Sequence, residues 1–385
     1  MRKALLVLAL LASALVAAPP LTAAQPAAVV EPDDDPFYRP APGFETAAPG
    51  AVLKRRPVTA AGLPATQLQV RSTDAKGRPV TVVSTLIIPP TPYPGRRPLL
   101  SYQPATDSLG DQCNPSYALR TGTEKEVGLL SMGLTNGWAV VVTDYQGPRD
   151  AFAAGRMEGH AVLDGVRAAR SLPDAGLASS PVGLWGYSGG ALASGWAAEL
   201  APTYAPELPV AGVAGVAIPA DFAPAARIMD GGPFSGLALA GITGLMREYP
   251  ELEPLLNDTG RAMVARVGDM CVAELAITLA FKRIADHTDS PDPLNEPVAR
   301  EVLALNRMGS TAPTAPVYIY HSLFDELIPY TVAETVRKQW CAKGAKVTFH
   351  TDVLSEHNVL AVTGAPSAVG YLAARFRGVP VPSTC

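Results

Sequence analysis

The residues with the greatest capacity for chemistry form one string, Gly186-Tyr187-Ser188-Gly189-Gly190. It fits G-x-S-x-G, in which a sharp strand-to-helix turn pushes a serine hydroxyl into the open, where it can attack an acyl carbon. The competing reading is an ordinary glycine-rich turn, so the context decides. Pro181-Val182-Gly183-Leu184-Trp185 reads as a buried strand directly before the string, and Ala191 to Leu200 reads as an alanine-rich helix directly after it. Strand, turn and helix in that order make Ser188 the expected nucleophile.

A serine needs a base, and the base needs an orienting carboxylate; along such chains the order is Ser, then Asp or Glu, then His. Only five histidines are present. His160 precedes the serine, His287 lies in a polar stretch with Asp286, Thr288 and Asp289, His321 ends a predicted strand and His350 lies inside one. His357, in Ser355-Glu356-His357-Asn358, follows the last predicted strand in a loop, from which an imidazole can reach over the sheet towards the serine. His357 is therefore the expected base, with His321 as its rival. Asp325 follows the strand Val317–Tyr320 and precedes His357, which makes it the expected acid; Glu326 and Asp352 compete with it. The developing oxyanion needs backbone N–H donors. Gly189 is one expectation. The other is the loop Gln103-Pro104-Ala105-Thr106-Asp107-Ser108, where Asp107 could serve through its amide or could merely form an Asx turn.

These residues must be held by a frame, and the hydrophobic pattern describes one. Apolar stretches rich in β-formers occur at 67–72, 81–88, 99–103, 139–144, 182–187, 213–218, 317–320 and 347–353. Several are continuous runs, such as Ala139-Val140-Val141-Val142, as expected of strands covered on both faces. Helical spacing separates them, with Val162, Val166 and Ala169 before the serine strand and Leu192, Trp196 and Leu200 after it. The expected fold class is α/β: an α/β-hydrolase fold, a mainly parallel sheet flanked by helices. From about Asp221 to Gly309 no strand is predicted and apolar residues recur at helical spacing, as in Phe234, Leu237, Ile242, Leu245 and Met246. The organisation expected is a core at 25–220, a helical cap or lid inserted at 221–310, and a C-terminal part of the core at 311–385. The cap helices could complete the core, line an acyl tunnel, or do both. An acidic, proline-rich lead from Glu31 to about Gly50 reads as an extended surface segment.

The N-terminus sets the compartment. Arg2 and Lys3 precede an uncharged apolar run from Leu5 to Ala17, and Thr22-Ala23-Ala24 suits a signal-peptidase site. The run is short for a bilayer span, so residues 1–24 are expected to be a cleaved signal peptide and the mature protein secreted, with no transmembrane segment. Four cysteines, Cys113, Cys271, Cys341 and Cys385, fit two disulfides in an oxidising compartment, in any of three connectivities. A net charge of -4 and the lack of any basic run argue against nucleic-acid partners.

The pattern resembles the secretory lipase family, typified by lipase A of the yeast Candida antarctica. The resemblance runs over nearly all of the chain after residue 34. It rests on Asp35-Pro36-Phe37-Tyr38, Pro49-Gly50-Ala51-Val52-Leu53, Ser101-Tyr102-Gln103, Asp107-Ser108, Cys113-Asn114-Pro115-Ser116-Tyr117, Asp144-Tyr145-Gln146-Gly147-Pro148 and Gly186 to Ala191. It implies a triad of Ser188, Asp325 and His357, an oxyanion hole of Asp107 and Gly189, and disulfides Cys113–Cys271 and Cys341–Cys385. It also implies a helical lid and an acyl tunnel. One departure is Gly147-Pro148-Arg149, which lacks a fuller glycine-rich run. The function expected is hydrolysis of carboxylic esters, foremost acylglycerols. Neither metal nor organic cofactor is called for, the partner is a lipid or small ester substrate, and the cap would touch a lipid interface transiently. The alternatives are an acyltransferase or peptidase with the same triad, and a secreted binding protein on a dead hydrolase scaffold.

Overall fold

The computed structural model describes residues 29–380 and 382–385, so the expected signal peptide at 1–24 lies outside the described residues. Nine strands build one sheet: β1 (Val52–Ala60), β2 (Leu63–Thr73), β3 (Pro79–Ile87), β4 (Leu99–Gln103), β5 (Ala139–Thr143), β6 (Val182–Tyr187), β7 (Val210–Val216), β8 (Val317–Ser322) and β9 (Val347–Asp352). Their order across the sheet is β1-β2-β3-β5-β4-β6-β7-β8-β9. The first three strands and the β3–β5 junction are antiparallel, and every pairing from β5 to β9 is parallel.

The continuous apolar runs have a simple cause. Val141 faces one buried layer together with Leu99 and Leu184, while Val140 and Val142 face another together with Leu100 and Trp185. Helices Gly155–Ser171 and Gly189–Tyr204 cover the first face; Pro115–Thr121, Val127–Thr135 and Ala365–Phe376 cover the second. With helices on both sides, alternation of polar and apolar residues has no place in the central strands. This is the mainly parallel, doubly covered sheet expected of an α/β-hydrolase.

Two expectations need correction. β1 is a strand that the apolar pattern does not announce. It is an edge strand carrying Lys54, Arg55, Arg56 and Pro57, and only an edge position tolerates a proline that cannot donate to the ladder. Ala61 and Gly62, both at positive φ, turn it into β2 as a tight hairpin. The lead before it is turn-rich rather than extended, with a short 3-10 helix at Phe44–Thr46. It is pinned where Asp35 pairs with Arg56 at 2.6 Å and the guanidinium lies 4.1 Å over the Phe37 ring.

Between β7 and β8 the chain forms helices Phe222–Met229, Ser235–Glu248, Asp258–Val267, Val272–Thr278 and Pro297–Leu305, joined by short 3-10 turns. Its only pairing of strand type among the described residues is an isolated bridge, Leu256 to Thr288. The insertion shares the core of the sheet: Leu239, Leu245 and Leu275 belong to the same apolar layer as Leu99 and Val141. A cavity of about 50 Å³ among Ile242, Leu245, Leu252, Leu255, Val302 and Leu303 lies within it. Among the described residues no single helix is long and apolar enough to cross a membrane. The disulfides are Cys113–Cys271, which ties the loop after β4 to the insertion, and Cys341–Cys385, which fastens the C-terminus.

Candidate active site

β6 delivers Ser188 to the carboxyl end of the sheet. Its backbone has φ 53 and ψ -118, a left-sided conformation that a β-carbon resists, at a cost of order 1–3 kcal/mol. The turn is held by packing. A β-carbon at Gly186 would collide with the Gly190 carbonyl, and one at Gly190 would collide with the Gln103 carbonyl at the end of β4. The Ser188 amide donates to Val216 at the end of β7 (2.9 Å), and its carbonyl accepts from Leu192 in the first turn of the following helix (3.0 Å).

β8 and β9 deliver the other two groups. His357 begins the short helix His357–Thr363; its Nε2 lies 3.0 Å from Ser188 Oγ and its Nδ1 lies 2.7 Å from Asp325 Oδ2. Since an ionised Asp325 oxygen only accepts, Nδ1 is the donor of that hydrogen bond, and Nε2 is the ring nitrogen that faces the Ser188 hydroxyl. Asp325 Oδ1 accepts the Leu327 and Ile328 amides at 3.0 and 2.7 Å. Burial alone pushes the Asp325 carboxyl up, but the hydrogen bond and charge of His357, with His321 and the Ile328 amide, hold it below the ordinary aspartate value. It stays ionised beside the imidazole.

The other candidates have other tasks. His321 is buried behind Asp325, with Nε2 donating to the Ile328 carbonyl at 2.9 Å and 3.4 Å from Asp325 Oδ2. Glu326 accepts the His357 amide at 3.1 Å, and Asp352 accepts the Leu354 and Ser355 amides. His160 stacks near Tyr204, and His287 is buried in the insertion. Tyr187, which no sequence signal singled out, packs its ring 5.0 Å from the His357 ring and donates to the His357 carbonyl.

The loop after β4 brings Asp107 against the elbow. A β-carbon at Gly189 would overlap the Asp107 carboxyl as it stands, so glycine at 189 lets that carboxyl lie directly against the turn. Asp107 is itself at φ 46 and buried, and neither its amide nor that of Gly189 meets an acceptor among the described residues. Both amides are thus available to a third party. Burial pushes the Asp107 carboxyl up from its ordinary value.

Sequence reasoning missed what holds this loop. Tyr145 donates to the Pro104 carbonyl at 2.7 Å and accepts the Thr106 amide, while Gln146 brackets Ser108 through both its amide and its carbonyl. Ser108 Oγ accepts the Val272 amide of the insertion, beside the Cys113–Cys271 bond. Glu126 accepts Tyr102 Oη at 2.6 Å and the Ala105 amide at 2.9 Å. Burial pushes its carboxyl up to about 7, against the Tyr102 hydrogen bond, the Lys125 charge and the Ala105 amide. Tyr145 and Gln146 lie in the quoted Asp144–Pro148 segment; Glu126 has no sequence signal.

The sequence pattern described as "Secretory lipase" matches residues 114–383. The chain belongs to the secretory lipase family. As a member it is a carboxylic ester hydrolase. The solved structure of Candida antarctica lipase A in its closed state aligns with a TM-score of 0.87 at 31% identity, covering 93% of this chain and 89% of that one. The secreted triacylglycerol lipase LIP2 of Malassezia furfur is 34% identical, over 92% of this chain and 81% of its own length. A Mycobacterium tuberculosis relative named a probable inactive lipase is 38% identical, over 91% of this chain and 83% of its own.

Two outcomes are expected of variants. In Asp325→Asn the imidazole loses the partner that fixes its tautomer, and steady-state assays will show kcat lowered about ten-thousandfold. Glu126 holds its proton more tightly folded than unfolded between its ordinary value of 4.5 and about 7, so it contributes stability at low pH that fades across this window. Glu126→Gln will therefore show a shallower fall of Tm from pH 4.5 to 7. A residual slope is expected from the other carboxyls that burial pushes up, among them Asp144 and Asp150, both to about 7.

Proposed function

We propose that this chain is a secreted triacylglycerol lipase and esterase that works through an acyl-enzyme on Ser188. The observation carrying the proposal is the unbroken line of hydrogen bonds from Ser188 Oγ through His357 to Asp325 at 3.0 and 2.7 Å. Ser188 Oγ attacks the ester carbonyl while His357 Nε2 takes its proton. The amides of Asp107 and Gly189 receive the oxyanion, and His357 returns the proton to the departing alcohol. Water, deprotonated by the same imidazole, then attacks the acyl carbon, releases the fatty acid and restores the Ser188 hydroxyl. The leader at 1–24 and the two disulfides agree with export.

Acylglycerols are favoured as substrates by the similarity to the secreted triacylglycerol lipases of Malassezia and by the apolar helical insertion over residues 222–305, to which we assign the role of lid. The name of the Mycobacterium tuberculosis relative gives some weight to a non-catalytic binding role. The complete Ser–His–Asp line and the two unengaged amides weigh against it here. The test is titration of fatty acid released from emulsified long-chain triacylglycerol, together with a series of p-nitrophenyl esters. Turnover of both is expected, with loss of at least about a thousandfold in Ser188→Ala. Activity on short esters alone would reduce the assignment to a carboxylesterase. Turnover of neither would favour the binding role.

A further inference from the structure

Twelve large apolar side chains stand exposed among the described residues, and six of them fall between positions 323 and 362: Leu323, Phe324, Val353, Leu354, Val359 and Val362. They sit on the loop after β8, the loop after β9 and the helix that follows. These three segments are bound together. The Leu323 amide donates to the Asp352 carbonyl at 2.8 Å, Ser322 Oγ to the Ser355 carbonyl at 2.5 Å, and Ser355 Oγ lies 3.2 Å from Thr363 Oγ1. The segments that carry these apolar side chains are therefore fixed against one another as one exposed region. Leu354, 92% exposed, and Val362, 66% exposed, are its most prominent points beside Phe324 at 61%. Val359 and Val362, three residues apart on the helix, lie on one side of it.

The polar side chains of the same segments are turned to internal tasks. Asp352 takes the Leu354 and Ser355 amides, Glu356 takes the Asn358 and Val359 amides, and Glu326 takes the His357 amide. The stretches 322–329 and 352–364 contain no lysine or arginine, so every formal charge they carry outside the imidazole is negative. Contiguous exposed apolar surface marks an interaction site, and this one has nothing to attract an anionic membrane. It is also continuous with the reaction centre, because Asp325 follows Phe324 directly and His357 lies three residues after Leu354.

We propose that this face seats the protein on the surface of an uncharged lipid phase, presenting the Ser188 site to it, so that the docking contact is made by the β8 and β9 loops of the core and not by the helical insertion. The proposal rests on the ester-hydrolase reading above for its purpose. Its binding step stands apart from turnover. A fully buried leucine or valine side chain is worth about tenfold or more in partition, so removing two central ones has a readable effect.

The experiment is flotation of the mature protein with triolein droplets coated in phosphatidylcholine, in a Ser188→Ala background so that no substrate is consumed. Leu354→Ser with Val362→Ser is expected to lower the bound fraction at least tenfold. Ile277→Ser with Phe281→Ser, which removes exposed apolar groups of the insertion, is expected to leave it unchanged. With Ser188 intact, the first pair should hydrolyse dissolved p-nitrophenyl butyrate within about twofold of the parent while losing activity on the emulsion. Unchanged flotation, or a loss in the insertion pair instead, overturns the proposal. So does a wild-type dimer in sedimentation that the Leu354/Val362 pair dissolves, because the face would then be covered by a second copy. If the parent hydrolyses no ester but flotation still depends on Leu354 and Val362, the docking face stands and the hydrolytic reading falls.

Discussion

The site depends on one close approach, that of the turn 186–190 to the end of β4. Gly190 lies against the Gln103 carbonyl and Gly186 against the Gly190 carbonyl, with no room for a side chain at either position. That approach, together with the Ser188 hydrogen bonds to Val216 and Leu192, holds Ser188 at positive φ between β6 and the following helix. The sheet supplies the rigidity. β4 and β6 are neighbours in register, Gln103 opposite Gly186, and both are buried on both faces, so neither can yield to relieve the strained serine.

The remaining groups are placed by the same logic of adjacent strand ends. β8 and β9 pair in register from Val317 with Val347 to Ser322 with Asp352, which sets the loops carrying Asp325 and His357 side by side. The loop carrying Asp107 comes from β4 on the other flank of the elbow and is braced by Tyr145 and Gln146 beyond β5 and by the insertion through Cys113–Cys271. Three separate stretches of chain thus converge on Ser188, and each is tied to a neighbour by hydrogen bonds or a disulfide. In the proposed reaction, donors fixed in this way would meet a developing oxyanion without the reorganisation that water needs.

Much of this was legible in the sequence, and the reasons are physical. A strand covered on both faces writes itself as a run such as Ala139–Val142, and a nucleophile elbow writes itself in glycines because sterics leave no substitute. His357 and Asp325 could be chosen because the order of strands fixes which loops reach the serine; the structure brings these two, and not His321 or Asp352, into line with Ser188. β1 was illegible because an edge strand need not be apolar, and its hairpin depends on the positive φ of Ala61 and Gly62. Asp107 emerged from resemblance more than from residues, since its place is set by backbone conformation at φ 46. Glu126, Tyr145 and Tyr187 act through contacts to Ala105, Pro104 and His357 at long sequence separation, which local pattern does not record.

On the proposed reading, Ser188 is a nucleophile activated by His357. Mass spectrometry of the intact protein and of its peptides after treatment with a fluorophosphonate tests it without any assumption about substrate. A single adduct on the peptide bearing Ser188, formed rapidly in the parent and at least a hundredfold more slowly in His357→Ala, is the predicted result. An unlabelled Ser188, or labelling just as fast without the imidazole, would contradict the account.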